Sequence, residues 1–220
     1  MDKKLTAWSF SRLKGFETCP KKFYHTSVAK TIKEAESEQM RYGKRVHKAL
    51  EVRVRDGKKL PMDLSHLEPI CKSVIQSKGI KIVEQQMALT KDFTPTGWFD
   101  SNVWVRAILD LGVIHKTKAA LFDWKTGRPD DDFTQMNMSG AVFLLHEPEI
   151  KEVTLSYYWL KNKSMTSQTL LREEAKGVWA ELLPRVNKYQ KAHDDQNFPP
   201  RPGFLCKKWC PVKECPYHGV

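Results

Sequence analysis

The chain has 220 residues, enough for one sizeable hydrophobic core, and a single domain over residues 1–220 is expected. Its 37 Lys and Arg against 26 Asp and Glu leave a formal charge of +11, which favours a polyanionic partner with nucleic acid first among them, the plainer alternative being a solvated basic face. No apolar stretch approaches the length of a membrane span, Met1-Asp2-Lys3-Lys4 is not followed by an apolar signal region, and five cysteines do not suggest a disulfide scaffold, so a soluble cytoplasmic protein is expected.

Ser9 or Ser11 can cap a short helix carrying Phe10, Leu13 and Phe16, after which Cys19-Pro20 opens a basic aromatic segment, Lys21-Lys22-Phe23-Tyr24-His25. From about Ser37 to Asp56, the apolar residues Met40, Val46, Leu50 and Val54 recur at near-helical spacing, and Gly57 supplies a stop. A second helix is expected within Leu64 to Lys78, with Pro69 in its first turn. Strands are expected at Ile80 to Leu89, Trp104 to Ile114, Ala119 to Trp124 and Val153 to Leu160. Between the last two lies a predicted helix, Asp132 to Leu145, whose N-terminal dipole favours the run Asp130-Asp131-Asp132. A final helix from about Arg172 to His193 has to kink or break at Pro184, and Phe198-Pro199-Pro200-Arg201-Pro202-Gly203 reads as an extended connector into a Cys-rich end. Helices surrounding a small mixed sheet make an α/β or α+β fold.

The chemistry concentrates on one hairpin. Asp123 and Lys125 are two residues apart on a predicted strand, so their side chains point the same way. A turn centred between Lys116 and Thr117 pairs Ile114 with Ala119, then Gly112 with Leu121, then Asp110 with Asp123. Two opposed carboxylates on one face stand roughly 4.5–5.5 Å apart at their β-carbons and repel unless a cation lies between them. The long first helix adds His47, with Glu51 four residues on and so on the same face. A lone helical histidine is more often structural, and Asp123 with Lys125 could be a surface ion pair, but Leu121, Phe122 and Trp124 argue that the strand is buried. Two carboxylates and one imidazole suit Mg²⁺ or Mn²⁺. Lys125 beside such an ion can position a nucleophilic water or stabilise charge developing on a phosphate.

Gly43-Lys44-Arg45-Val46-His47-Lys48-Ala49-Leu50-Glu51, Ala107-Ile108-Leu109-Asp110, Phe122-Asp123-Trp124-Lys125-Thr126-Gly127 and then Gln135 resemble, in order, the motifs of RecB-like nucleases of the PD-(D/E)XK superfamily. The resemblance spans Trp8 to Tyr217, looks closest to phage-encoded exonucleases, and implies a restriction-endonuclease-like α/β core. It implies that His47, Asp110 and Asp123 bind the metal, that Lys125 assists hydrolysis and that Gln135 lies near the DNA. The chain departs from many relatives at Ser139, where they carry Tyr. The activity so implied is metal-dependent DNA exonuclease, the alternatives being a structure-selective or spacer-processing endonuclease and a non-catalytic DNA-binding module. DNA is the implied partner, with a single-strand annealing protein or a helicase as further candidates.

Cys206, Cys210 and Cys215 are clustered, and Cys19 shares the Cys-Pro context of Cys210 and Cys215. Four thiolates can hold a [4Fe-4S] cluster or a zinc ion, and free thiols are the remaining reading. One N-terminal and three C-terminal cysteines resemble the split iron-sulfur arrangement of AddB-type and CRISPR-adaptation nucleases, although here the middle ligand is displaced by one residue. That resemblance implies a cluster joining the two ends of the chain, with the tail 198–220 packed against the N-terminal helix. Cys71 reads as a packing residue. Lys21-Lys22-Phe23-Tyr24 and Lys207-Lys208-Trp209 could stack bases, but aromatic packing around the cysteines accounts for them equally.

Overall fold

The structure is a computed structural model that describes residues 6–220; Met1 to Lys4, read above for a leader, lie outside the described residues. In chain order the first elements are helices α1 (Phe10–Thr18) and α2 (Pro20–Phe23), a π-helical turn Tyr24–Val28, α3 (Glu38–Asp56), a 3-10 segment Met62–Leu67 and α4 (Glu68–Gln76). Strands β1 (Ile80–Leu89), β2 (Pro95–Thr96), β3 (Val105–His115) and β4 (Lys118–Lys125) follow, then α5 (Thr134–His146), β5 (Glu152–Trp159), β6 (Ser164–Leu171), α6 (Ala175–Asp194) and α7 (Leu205–Lys208). Two compact units result, one of Ser37–Trp179 and one of Met1–Glu36 with Ala180–Val220.

The first unit is built on a six-stranded sheet in the order β2-β1-β3-β4-β5-β6. Only β4 and β5 run parallel, so the sheet is mixed, and α5 makes the crossover that a parallel pair requires. α5 is buried nearly all round, from Met136 to Leu144, as a helix enclosed by its own fold should be. On α3, Ser37 Oγ accepts the Met40 N–H at 3.2 Å and Gly57 closes the helix at φ 71°, in the left-handed conformation that glycine takes without strain. Its Val46 and Leu50 enter a core shared with Leu64, Leu67, Cys71, Val74, Leu111, Trp124 and Leu160. That burial fixes the rotation of α3, and with it the direction in which His47 points. Pro69 falls in the first turn of α4, where its missing N–H costs nothing.

Several details depart from the sequence expectation. Strand β6 was not anticipated, because Ser164-Met165-Thr166-Ser167-Gln168-Thr169 is polar and mostly exposed. It is an edge strand whose backbone pairs along β5, helped by Ser156 Oγ to Ser167 Oγ at 2.8 Å and Trp159 Nε1–H to Thr166 Oγ1 at 3.0 Å. The helix expected from Asp132 begins at Thr134 with Phe133 as its N-cap, although Asp132 Oδ1 still accepts the Thr134 N–H at 2.9 Å. α6 continues through Pro184, so of the two accommodations expected there the break is not the one taken.

Gly79, just before β1, has φ +119°, and a β-carbon there would lie 2.2 Å from the Ile114 carbonyl oxygen. Both objections concern backbone, which cannot swing aside. Gly79→Ala is expected to destabilise the protein by about 2–3 kcal/mol, measured as a lowered urea midpoint with an unchanged m-value.

In the second unit, Ser9 Oγ caps α1 by accepting the Arg12 N–H at 3.4 Å. Phe16 meets the rings of Phe23, Tyr189 and Phe198 edge-on at 6.1, 5.5 and 6.5 Å. Phe23 of the basic aromatic segment is therefore core. Arg185 pairs bidentately with Glu17 at 2.7 Å, the Lys21 N–H donates to Pro199 O at 3.3 Å, and Arg201 Nη1 donates to Glu17 O. These bonds join segments from opposite ends of the chain.

Candidate active site

The β3–β4 ladder pairs Ile114 with Ala119 and Gly112 with Leu121, in the register counted from the turn, and its last pair is Leu111 with Phe122. Beyond that pair the side chain of Asp110 replaces the backbone: its Oδ2 accepts the Trp124 N–H at 3.0 Å. The same oxygen lies 3.2 Å from His47 Nδ1. Helix α3 and strand β3 thus bring a histidine and a carboxylate together, with the packing of Val46, Leu50 and Trp124 behind them.

Asp123 and Lys125 do share a face of β4. Lys125 Nζ stands 2.6 Å from Asp123 Oδ2, an ion pair without hydrogen-bond alignment, and that buried oxygen has no hydrogen-bond partner. Gln135, at the start of α5, closes the group: its Oε1 accepts from Lys125 Nζ at 3.1 Å and its Nε2 donates to Asp123 Oδ1 at 3.3 Å. The ammonium also lies 4.9 Å from the centre of the Tyr157 ring. A cation–π contact of this kind holds a lysine in place without neutralising it.

The electrostatics follow from crowding charge into a partly dry cleft. Burial, then the like charge of Asp110, pushes Asp123 from 3.8 up to about 6, against the pull of Lys125. For His47, burial disfavours the imidazolium, but the Asp110 hydrogen bond and the fields of Asp110 and Asp123 together outweigh it and raise the group above 6.5. Burial and Asp123 push the Tyr157 phenol upward, so it remains a neutral donor, bonded to Asp132 O at 3.2 Å.

One neighbour was not legible in the sequence. Glu84 of β1 lies where the pairs Val83 with Leu111 and Gln85 with Leu109 leave a gap opposite Asp110. Ligand atoms of His47, Glu84 and Asp110 all lie within 4.8 Å of one another, which is the one such group among the described residues. The expected metal set was His47, Asp110 and Asp123; the structure groups Glu84 with the first two and engages Asp123 with Lys125 and Gln135. Only the β1–β3 register could have pointed to Glu84. Glu51, the other carboxylate on the His47 face, is paired with Lys48 at 2.8 Å and Arg55 at 2.5 Å.

Cys19, Cys206, Cys210 and Cys215 line one small pocket, together with Lys21, Lys22 and His218, and Cys19 Sγ accepts the Arg201 N–H at 3.4 Å. All four thiols are free and partly accessible, soft donors of the type that suits a thiophilic metal or cluster, and no three of them bring their sulfurs within 4.8 Å of one another. Cys71 is different: it is fully buried in the first unit, and burial, then Glu68, pushes its thiol up to about 11. Trp209 is 71% exposed, unlike Phe23, so the two basic aromatic segments differ in character. Among the described residues, no helix is long and apolar enough to cross a membrane.

No curated protein matches the sequence. Among solved structures, a candidate exonuclease from Eubacterium rectale is similar at 12% identity, covering 92% of this chain and 86% of that one with a TM-score of 0.50. The structure of SSO0001 is similar at 13% identity over 99% of this chain and 90% of that one, with a TM-score of 0.48. The mixed six-stranded sheet flanked by helices is consistent with a restriction-endonuclease-like fold. A family model described as the PD-(D/E)XK nuclease superfamily matches residues 7–78 and 70–216, which take in His47 and Asp123-Trp124-Lys125 alike, and the chain belongs to that superfamily.

Proposed function

We propose that this chain is a RecB-like DNA exonuclease, acting in phage DNA recombination, replication or degradation, in which His47, Asp110, Asp123, Lys125 and Gln135 form the active site. Membership of the superfamily implies a metal-dependent nuclease that uses ions such as Mg²⁺ or Mn²⁺ and acts on DNA. The observation that carries the reading is the closed Asp123–Lys125–Gln135 group next to the His47–Asp110 pair. The name of the Eubacterium rectale neighbour is in keeping with an exonuclease.

His47, Asp110 and Asp123 would hold a divalent ion, which when bound would supply polarisation of the scissile phosphate and a lowered pKa for the attacking water. The rest is the work of the side chains. The Trp124 N–H and His47 Nδ1 hold the Asp110 carboxylate in place beside Asp123. Gln135 holds Asp123 and Lys125 at a set separation. Lys125 Nζ, placed between Asp123 and the Tyr157 face, presents positive charge to a phosphate oxygen or orients the water. In the second unit, Cys19, Cys206, Cys210 and Cys215 hold a [4Fe-4S] cluster, or zinc in its place, that secures the tail 198–220 to the N-terminal segment.

Digestion of DNA labelled at either end, single- and double-stranded, with Mg²⁺ and with Mn²⁺, tests the function. Stepwise release of nucleotides from linear DNA, with a covalently closed single-stranded circle spared, is the expected result. Cutting of the circle would replace exonuclease by endonuclease, and DNA binding without hydrolysis in either ion would reduce the chain to a binding module.

A further inference from the structure

We propose that Glu84 is a metal-binding residue of this centre, contributing a carboxylate alongside His47 and Asp110; the inference rests on the nuclease reading above. Three observations carry it. Ligand atoms of the three residues lie within 4.8 Å of one another, close enough for one ion to reach all of them. The Glu84 side chain, half-buried, has no hydrogen bond or ion pair among the described residues, whereas both oxygens of Asp123 are engaged by Lys125 and Gln135. The like charges of Asp110 and Glu51 face it, with His47 and Arg55 as the cations nearby, and Arg55 is already committed to Glu51 and Val83 O.

The backbone is arranged to the same end. Glu84 has φ 51° in the middle of a strand, a left-handed conformation that a glutamate adopts at some cost. The residues on either side, Val83 and Gln85, keep their partners on β3, so the distortion is confined to one residue and the register is undisturbed. A local twist that turns one carboxylate toward a histidine and an aspartate, with neighbours in regular pairing, is what a ligand position on a strand requires. Two carboxylates and an imidazole make a mainly hard donor set suited to Mn²⁺ and Mg²⁺.

The test is a Mn²⁺ titration of the full chain without DNA, with free Mn²⁺ read by electron paramagnetic resonance, on wild type, Glu84→Gln and Glu84→Asn. Asparagine tolerates left-handed backbone well, so at least one variant keeps the fold. Both variants are expected to bind Mn²⁺ more weakly by about 10- to 100-fold. Binding at wild-type affinity by either folded variant would overturn the role of Glu84 and leave the nuclease reading intact. Failure of the wild type itself to bind Mn²⁺ would count against that reading, and the assignment of Glu84 would fall with it.

Discussion

Asp123→Asn is expected to lower DNA cleavage by about three orders of magnitude or more and, in the metal-free protein at pH 8, to raise stability. The two effects have one cause. The carboxylate is held in a buried position next to Asp110, which pushes it from 3.8 up to about 6. A folded-state value above the unfolded one means that the native state holds the proton more tightly. Stability contributed by the protonated acid is present below pH 3.8, is lost as pH rises toward about 6, and stays lost above it. At roughly 1.4 kcal/mol per unit the full penalty is about 3 kcal/mol. The pull of Lys125 is already contained in that value, so the amide is expected to gain up to about 3 kcal/mol at pH 8, vanishing near pH 4. Urea unfolding of wild type and variant across this range, with chelator present, measures it. Lys125→Ala should abolish cleavage as well, with DNA binding largely retained, and should lower metal-free stability, since it removes the cation that Asp123 has. Full nuclease activity in either purified variant would sink the proposed site.

Serine substitution at Cys206, Cys210 or Cys215 is expected to strip the protein of bound metal and loosen its C-terminal tail. Within residues 198–220 only Val212 is buried, and α7 has four residues. Burial of one valine side chain contributes about 1.5–3 kcal/mol, which cannot by itself order a segment of this length. On the proposed site, four thiolates from both ends of the chain would supply what apolar area does not: structural metal binding contributes on the order of 10 kcal/mol, and a missing ligand forfeits much of it. The measurements are iron, sulfide and zinc content after anaerobic purification, and limited proteolysis of the tail. Wild type should carry iron and sulfide; zinc without iron would select the simpler site, and neither would refute the ligand set. Cys71→Ser, in the core of the other unit, should leave the metal content unchanged.

The parts of this protein that could be read from sequence are those that neighbouring residues specify. The spacing of Val46 and Leu50, the Ser37 cap and the Gly57 stop define α3 and the face that carries His47. The polar turn at Lys116-Thr117 sets the register of β3 on β4, and two-residue alternation puts Asp123 and Lys125 on one side. Strand β6 could not be read this way, because a polar edge strand is stabilised by backbone pairing that its side chains do not announce. Nor could the end of the hairpin ladder, where Asp110 takes the Trp124 N–H.

Sequence by itself therefore determined a superfamily, a fold class and a set of candidate site residues, through periodicity, turns and an ordered set of short motifs. Tertiary structure alone decided how those residues are connected: Gln135 closing on Asp123 and Lys125 from the far side of a loop, four cysteines from both ends lining one pocket, and Glu84 facing Asp110 from another strand. These contacts join segments distant along the chain. Their geometry is set by packing and strand register, whose free energy is shared over many residues and leaves no mark in any short stretch of sequence.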